Sequence, residues 1–222
     1  MQKKWKKEIM RFLVCILAFG TVFMSSSVFA QAKGKGKASV SGKAKKAILA
    51  YQNFLGQGKI KWSDKCYDSG DFKFMLADVN SDKAPELFLK CVGNACHYEG
   101  YEAVYYFHKN KVKLLAKNDA ITAFYPKKGV VEMQYYGMGG SVSYHRIPKN
   151  GKGKCFSSIS GEDDPWQETY YEWNGKKVTK SKCRRLLKKA LGKKKVKVKE
   201  SGWIDNTAAN RASMSMKMCI CR

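Results

Sequence analysis

Apolar and polar positions recur along this chain with two different periods. Between residues 43 and 55 the apolar positions Ala44, Ala47, Ile48, Tyr51 and Leu55 fall three and four apart. That spacing predicts an amphipathic helix over residues 43–55, with Ser41 able to cap its start and Gly56 able to end it. Beyond Asp71 the pattern changes to short runs rich in aromatic and β-branched residues, separated by turn residues. These runs predict strands at Phe72–Val79, Glu86–Val92, Tyr101–Phe107, Lys111–Leu115, Ile121–Tyr125, Val130–Tyr136 and Ser141–Ile147. Asn150-Gly151 and Asn174-Gly175 are strong two-residue hairpin signals, and Asn110-Lys111 is a weaker one. The helical period returns at Ser181–Leu191, where Cys183, Leu186, Leu187, Ala190 and Leu191 share one face, Ser181 can cap and Gly192 follows. Lys195–Lys199 alternates lysine with Val196 and Val198, the pattern of a last strand with one face in water. Together these elements predict an α+β fold, mainly an antiparallel β meander with one helix near each end.

An aromatic strand followed by Asn and Lys occurs twice, at residues 106–112 and 171–178. It reads as two strand-turn-strand units of one sheet. Their irregular spacing argues against a propeller or solenoid.

The first 30 residues follow neither period. Lys3, Lys4, Lys6, Lys7 and Arg11 precede an apolar run from Phe12 to Met24, and Val28-Phe29-Ala30 places small residues where a signal peptidase cuts. The run is shorter than the roughly 20 residues that span a bilayer, so a cleaved export signal is expected, with no transmembrane segment afterwards. Residues 31–42 are small, basic and glycine-rich, a flexible leader. Residues 43–205 are expected to form one β-rich domain, and residues 206–222 a partly ordered tail. The expected location is outside the cell, secreted or retained at the wall.

Charge sharpens this picture. Loss of residues 1–30 removes five basic residues and one acidic one, leaving 38 against 17, a net charge of +21. A chain so basic attracts polyanions, which makes an anionic wall polymer or a glycan a reasonable partner. The lysine runs sit at element ends and in linkers rather than in a nucleic-acid module, so no specific nucleic acid is expected.

Seven of the eight cysteines lie beyond residue 30, and in an exported chain they favour disulfides over redox centres. Cys91 and Cys96 are placed to close a short loop. Together with His97 they offer three zinc ligands, but no second ligand pair at comparable spacing accompanies them.

One segment has residue types and spacing suited to a definite chemistry. In Asp78-Val79-Asn80-Ser81-Asp82-Lys83-Ala84-Pro85-Glu86, oxygen side chains occupy alternate positions at Asp78, Asn80 and Asp82. The Ala84 carbonyl falls seventh and Glu86 ninth, a donor set that suits Ca2+. Leu89 stands twelfth, where an EF-hand has its bidentate Glu, and the flanking runs are strands. The alternative is a hairpin turn in which Asp78 and Asp82 accept backbone hydrogen bonds.

This segment resembles the aspartate-rich loops of FG-GAP-type repeats. With the aromatic-Asn-Gly-Lys hairpins, Trp203 and the Asn206–Arg211 stretch, it also resembles a group of uncharacterised exported proteins of gram-positive bacteria. That resemblance implies a surface or extracellular location and no established reaction. Lys83 departs from it, because such loops place Gly there for a left-handed backbone.

No nucleophile, base and orienting group stand together, and Ser157, Ser158 and Ser160 lack a G-x-S-x-G context. A non-catalytic surface protein is therefore the leading expectation, with a secreted hydrolase of dispersed catalytic residues or a polyanion-binding protein as alternatives. Tyr135, Tyr136, Tyr144, Tyr170, Tyr171 and Trp173 are the aromatic side chains suited to stacking on sugar rings.

Overall fold

The computed structural model describes residues 42–62, 65–92, 101–137, 139–148, 153–161 and 168–220. Ser41, Cys96, His97 and the Asn150-Gly151 turn lie outside them. Helix α1 (Gly42–Leu55) leads into the hairpin β1 (Lys59–Trp62) and β2 (Lys65–Asp68). The antiparallel strands β3 (Phe72–Ala77), β4 (Glu86–Cys91), β5 (Glu102–His108) and β6 (Lys111–Asn118) follow. With β14 (Ile204–Asp205) against β3 they form a five-stranded sheet in the order β14-β3-β4-β5-β6.

The second sheet contains β7 (Ala120–Tyr125), β8 (Val130–Tyr135), β9 (Ser141–Arg146), β10 (Lys154–Ser160), β11 (Tyr170–Trp173), β12 (Lys176–Lys177) and β13 (Val196–Lys197). Its order is β12-β11-β10-β9-β8-β7-β13, again antiparallel throughout. Helix α2 (Lys180–Leu191) connects β12 to β13, and a short α3 (Ala208–Ser213) follows β14. The fold is α+β, mostly antiparallel sheet. Among the described residues no helix is long and apolar enough to cross a membrane.

Period-two alternation explains the layering. In β3 and β4, Phe72, Phe74, Leu76, Leu87 and Leu89 point to one face, where Ala47, Ile48, Tyr51 and Leu55 of α1 cover them together with Ile60 and Trp62 of the hairpin. Met75, Ala77 and Phe88 point to the other face and meet Ile121, Phe124, Val131 and Met133 of the second sheet. The Phe88 and Phe124 rings meet edge to face across this seam, 5.7 Å apart. The far side of the second sheet buries Tyr125, Tyr144, Phe156 and Tyr171 beneath Cys183 and Leu187 of α2. The layers thus run α1 with the small hairpin, five-stranded sheet, seven-stranded sheet, α2. The inner strands β3, β4, β5, β7 and β8 are covered on two faces, and this explains why they read as nearly continuous apolar runs, whereas β6 and β9 to β12 keep many exposed or half-buried positions.

Several local expectations are corrected. Thr179, not Ser181, caps α2, its side chain accepting from the Lys182 N–H, because the helix starts one residue earlier than the apolar face requires. The β5–β6 turn is centred on Lys109-Asn110, both at positive φ, rather than on Asn110-Lys111. The last lysine-valine strand shortens to Val196–Lys197.

Residues 206–220 are built into the fold. Asn206 is buried and its Nδ2 donates to the carbonyls of Leu55 and Ser69, while Arg211 donates back to Asn206 at 3.0 Å. Gln52 donates to the Arg211 carbonyl, and the Ile220 N–H reaches the Leu76 carbonyl. The end of the chain therefore latches α1 to β3.

Candidate functional site

The Asp78–Glu86 loop joins β3 to β4 at one end of the five-stranded sheet. Its oxygens are bound within the loop. Asp78 Oδ1 and Oδ2 accept from the Asp82 and Lys83 amides, Asn80 Oδ1 accepts from Asp82, and Asp82 Oδ1 accepts from Ala84. Glu86 is buried, its Oε2 accepting from the Val79 N–H at 2.9 Å and its Oε1 from Asn80 Nδ2. Burial pushes the Glu86 carboxyl well above the usual carboxylate range, although the Val79 bond opposes this. Burial raises the Asp78 carboxyl too. Ser81 and Lys83 both have positive φ, 58° and 67°, so Lys83 takes the left-handed backbone a glycine would take more cheaply.

These contacts bear on whether the loop suits calcium. The carboxylates of Asp78, Asp82 and Glu86, the Asn80 amide oxygen and the Ala84 carbonyl are oxygen donors that a hard cation accepts. The Lys43 ammonium from α1 already pairs with Asp82 Oδ2 and brings positive charge to that point. Among the described residues no three His, Cys, Asp or Glu side chains are grouped so as to hold a metal ion. A cation at Asp82 would have to displace Lys43.

The loop forms one wall of an open cleft of about 1070 Å³. Gly129 (φ 64°) on the β7–β8 turn meets the loop so closely that an added Cβ would stand 3.2 Å from the Asn80 Cβ. That approach brings the two sheets' turns together. Lys43 and Lys46 line the cleft from the first turns of α1, Lys109 from the β5–β6 turn, and Lys127 and Lys128 from the β7–β8 turn. Arg146 at the end of β9 and Lys154 at the start of β10 complete the ring.

All seven of these basic residues are exposed. Among the described lining residues, the carboxylates that stand against them are Asp82, paired with Lys43, and Glu86, turned inward. Lys46, Lys109, Lys127, Lys128, Arg146 and Lys154 have no ion pair with a described residue. The positive end of α1 adds to the same field.

Two cleft lysines, Lys109 (φ 49°) and Lys127 (φ 66°), sit at left-handed turn positions where Asn or Gly would be less strained. This was the available sequence signal: a lysine at the turn position of each hairpin. Charge alone marks the whole surface as basic. It does not separate these lysines from those on α2.

The six aromatic side chains divide between surface and core. Tyr135, Tyr136 and Tyr170 are exposed, at 47%, 63% and 46%. Tyr135 and Tyr170 end one row across the second sheet, Tyr135-Ser141-Ser160-Tyr170, and so point to the same face three strands apart. Tyr144 and Tyr171 are buried under α2, and Trp173 is half-buried with its ring 5.3 Å from Phe156. These last three are packing residues, because their strand positions face the helix.

Cys91 is disulfide-bonded, with its partner outside the described residues. Its pairing with Cys96 therefore stays an expectation. Cys66, Cys155 and Cys183 are free thiols. A comparison with protein-family models, curated proteins and solved structures finds no match to this chain.

Proposed function

We propose that this chain is an exported protein that binds anionic polymers at the cell surface without transforming them, using the basic cleft as its site. One observation carries the reading: seven exposed basic side chains from five separate chain segments surround a single cleft, and six of them lack an ion-pair partner among the described residues. Like charges gathered this way repel one another, and an anion relieves the repulsion. The N-terminal signal pattern supports an extracellular setting, where anionic polymers are abundant. The exposed tyrosines of the second sheet offer a further surface for sugar rings, but they are not part of the cleft.

The test is equilibrium binding of polyphosphate to residues 31–222 across a series of salt concentrations. Affinity should fall steeply with salt. Lys109→Glu combined with Lys127→Glu should weaken binding more than tenfold, whereas Lys176→Glu combined with Lys182→Glu, outside the cleft, should change it less than threefold. Equal losses for the two pairs would show that the whole basic surface binds, and would overturn the cleft as the site.

A further inference from the structure

The five-stranded sheet ends differently at its two sides. On one side the backbone of β3 is met: the Asn206 N–H donates to the Phe72 carbonyl, Ile204 pairs with Phe74, and the Ile220 N–H donates to the Leu76 carbonyl. On the other side the sheet stops at β6, at eight residues its longest strand. The register shows which backbone groups of β6 are left over. The Cys91 N–H donates to the Tyr101 carbonyl, so Tyr101, Ala103 and Tyr105 aim their backbone groups at β4, and the alternate residues Glu102, Val104, Tyr106 and His108 aim theirs at β6. Tyr106 opposes Lys113 and His108 opposes Lys111, and these pairs close the ladder. Val112 and Leu114 therefore turn their N–H and C=O outward, and no described residue pairs with either.

The side chains of β6 alternate in the same step. Leu114 opposes Tyr105 on the α1 face, where Val112, Phe54 and Phe107 are half-buried and Leu114 itself is 51% exposed. Lys113 opposes Tyr106 on the other face, which Lys111 shares, and neither lysine has an ion pair with a described residue. Outward backbone groups, an apolar strip and a row of ammonium groups thus lie in register. An open edge of this kind is a template for another strand. A second copy of β6 would bring its own lysines to those of the first, and like charges across a strand pair disfavour it. A segment that alternates apolar with acidic residues satisfies the whole edge. Its backbone meets Val112 and Leu114, its apolar side chains extend the strip beside them, and its carboxylates lie beside Lys111 and Lys113.

We infer that β6 captures an extended polypeptide segment of alternating apolar and acidic residues as an added antiparallel strand, in keeping with the rest of the sheet. Opposed residues of an antiparallel pair share a face, so the segment's apolar residues are the ones that exchange hydrogen bonds with Val112 and Leu114. This partner is recognised through its backbone, unlike the polyanion of the cleft.

The probe is an acetylated peptide of alternating valine and glutamate, as long as β6, titrated against residues 31–222 at physiological salt. Two forms of it carry the same charge, one N-methylated on its valines and the other on its glutamates. The unmodified and glutamate-methylated peptides should bind within threefold of each other, and the valine-methylated peptide at least tenfold more weakly. Amide hydrogen exchange at Val112 and Leu114 should slow at least tenfold when the unmodified peptide is bound. The Lys109→Glu, Lys127→Glu cleft variant should bind that peptide within threefold of the parent chain.

Equal binding of all three peptides would mean that charge alone attracts them, and this or any other order would overturn the added strand, as would no binding at all. Binding lost in the cleft variant would place the peptide in the cleft and overturn the inference while leaving the polyanion reading standing. Exchange at Val112 and Leu114 that slows with protein concentration alone would give the edge to a second copy of the chain and overturn the acidic partner. A circular-dichroism melt of the cleft variant shows whether a loss reflects unfolding, and in that case Lys109→Gln with Lys127→Gln replaces it.

Discussion

Gly129 and Asn80 touch across the boundary between the two sheets: a Cβ added to Gly129 would lie 3.2 Å from the Asn80 Cβ, at a backbone φ of 64°. The β7–β8 turn can reach the Asp78–Glu86 loop only because no side chain stands between them. Gly129→Ala should therefore suffer twice, from the left-handed backbone, about 1–2 kcal/mol, and from crowding against the loop. Gly175 is a built-in control, since it has φ 75° with nothing within 4 Å of an added Cβ. In urea denaturation Gly129→Ala should lose more stability than Gly175→Ala. Equal losses would mean that the Asn80 contact relaxes freely.

The buried carboxylate of Glu132 sets a second expectation. It accepts from Tyr125 Oη at 2.6 Å, from Thr122 Oγ1 at 2.9 Å and from Lys195 Nζ at 2.8 Å. Burial alone would raise its pKa, but the bonds from Lys195, Tyr125 and Thr122 outweigh it and hold the carboxyl below its ordinary value. Glu132→Ala strands those donors and should destabilise the fold by about 2–4 kcal/mol. Lys195→Met should be milder, about 1 kcal/mol, because its side chain is 42% exposed and its charge is screened by water. Thermal melts of the two variants check the order, and a larger loss for Lys195→Met would refute it.

These two sites show which features the sequence makes visible. Strands with both faces buried are legible because Phe72, Phe74, Leu76, Leu87 and Leu89 alternate with Met75, Ala77 and Phe88, all apolar and bounded by turn residues. The separation into two sheets is not legible, since it depends on which faces meet across the Phe88–Phe124 seam. The same limit hid the burial of Tyr144 and Tyr171. A tyrosine on a strand reads alike whether it faces water or the α2 residues Cys183 and Leu187. The β1–β2 hairpin went unread because its strands are four residues long and rich in lysine. The loop was visible from local spacing, while the cleft it borders was not, because Lys43, Lys109, Lys127 and Lys154 converge only through tertiary packing.

His145 supplies a pH signature. Its ring lies 2.9 Å from Ser143 Oγ, and burial lowers its pKa to about 4 from an ordinary value near 6.5. The unfolded chain then binds a proton at a higher pH than the folded chain does. Stability should accordingly fall as pH drops from about 6.5 to about 4, and this contribution should level off below that window. His145→Gln should remove the slope. NMR titration of the imidazole provides the direct check, and a midpoint near 6.5 in the folded protein would contradict the assignment.

Calcium at the Asp78–Glu86 loop can be tested through its competitor. The Lys43 ammonium pairs with Asp82, and the backbone amides of Asp82, Lys83 and Ala84 already engage Asp78, Asn80 and Asp82 oxygens. The loop therefore has an ion-free arrangement in which its charges are partly met. A divalent cation must take Asp82 away from Lys43, so removing that lysine should strengthen the cation's effect. Millimolar calcium is expected to raise the Tm of Lys43→Ala by several degrees more than that of the parent chain, with the rise reversed by chelator and abolished by adding Asp78→Ala. Equal rises in parent and Lys43→Ala would locate the ion away from Asp82. No rise in either would make the segment a hydrogen-bonded turn, whose part in the protein is to hold Asn80 against Gly129 and shape one wall of the cleft.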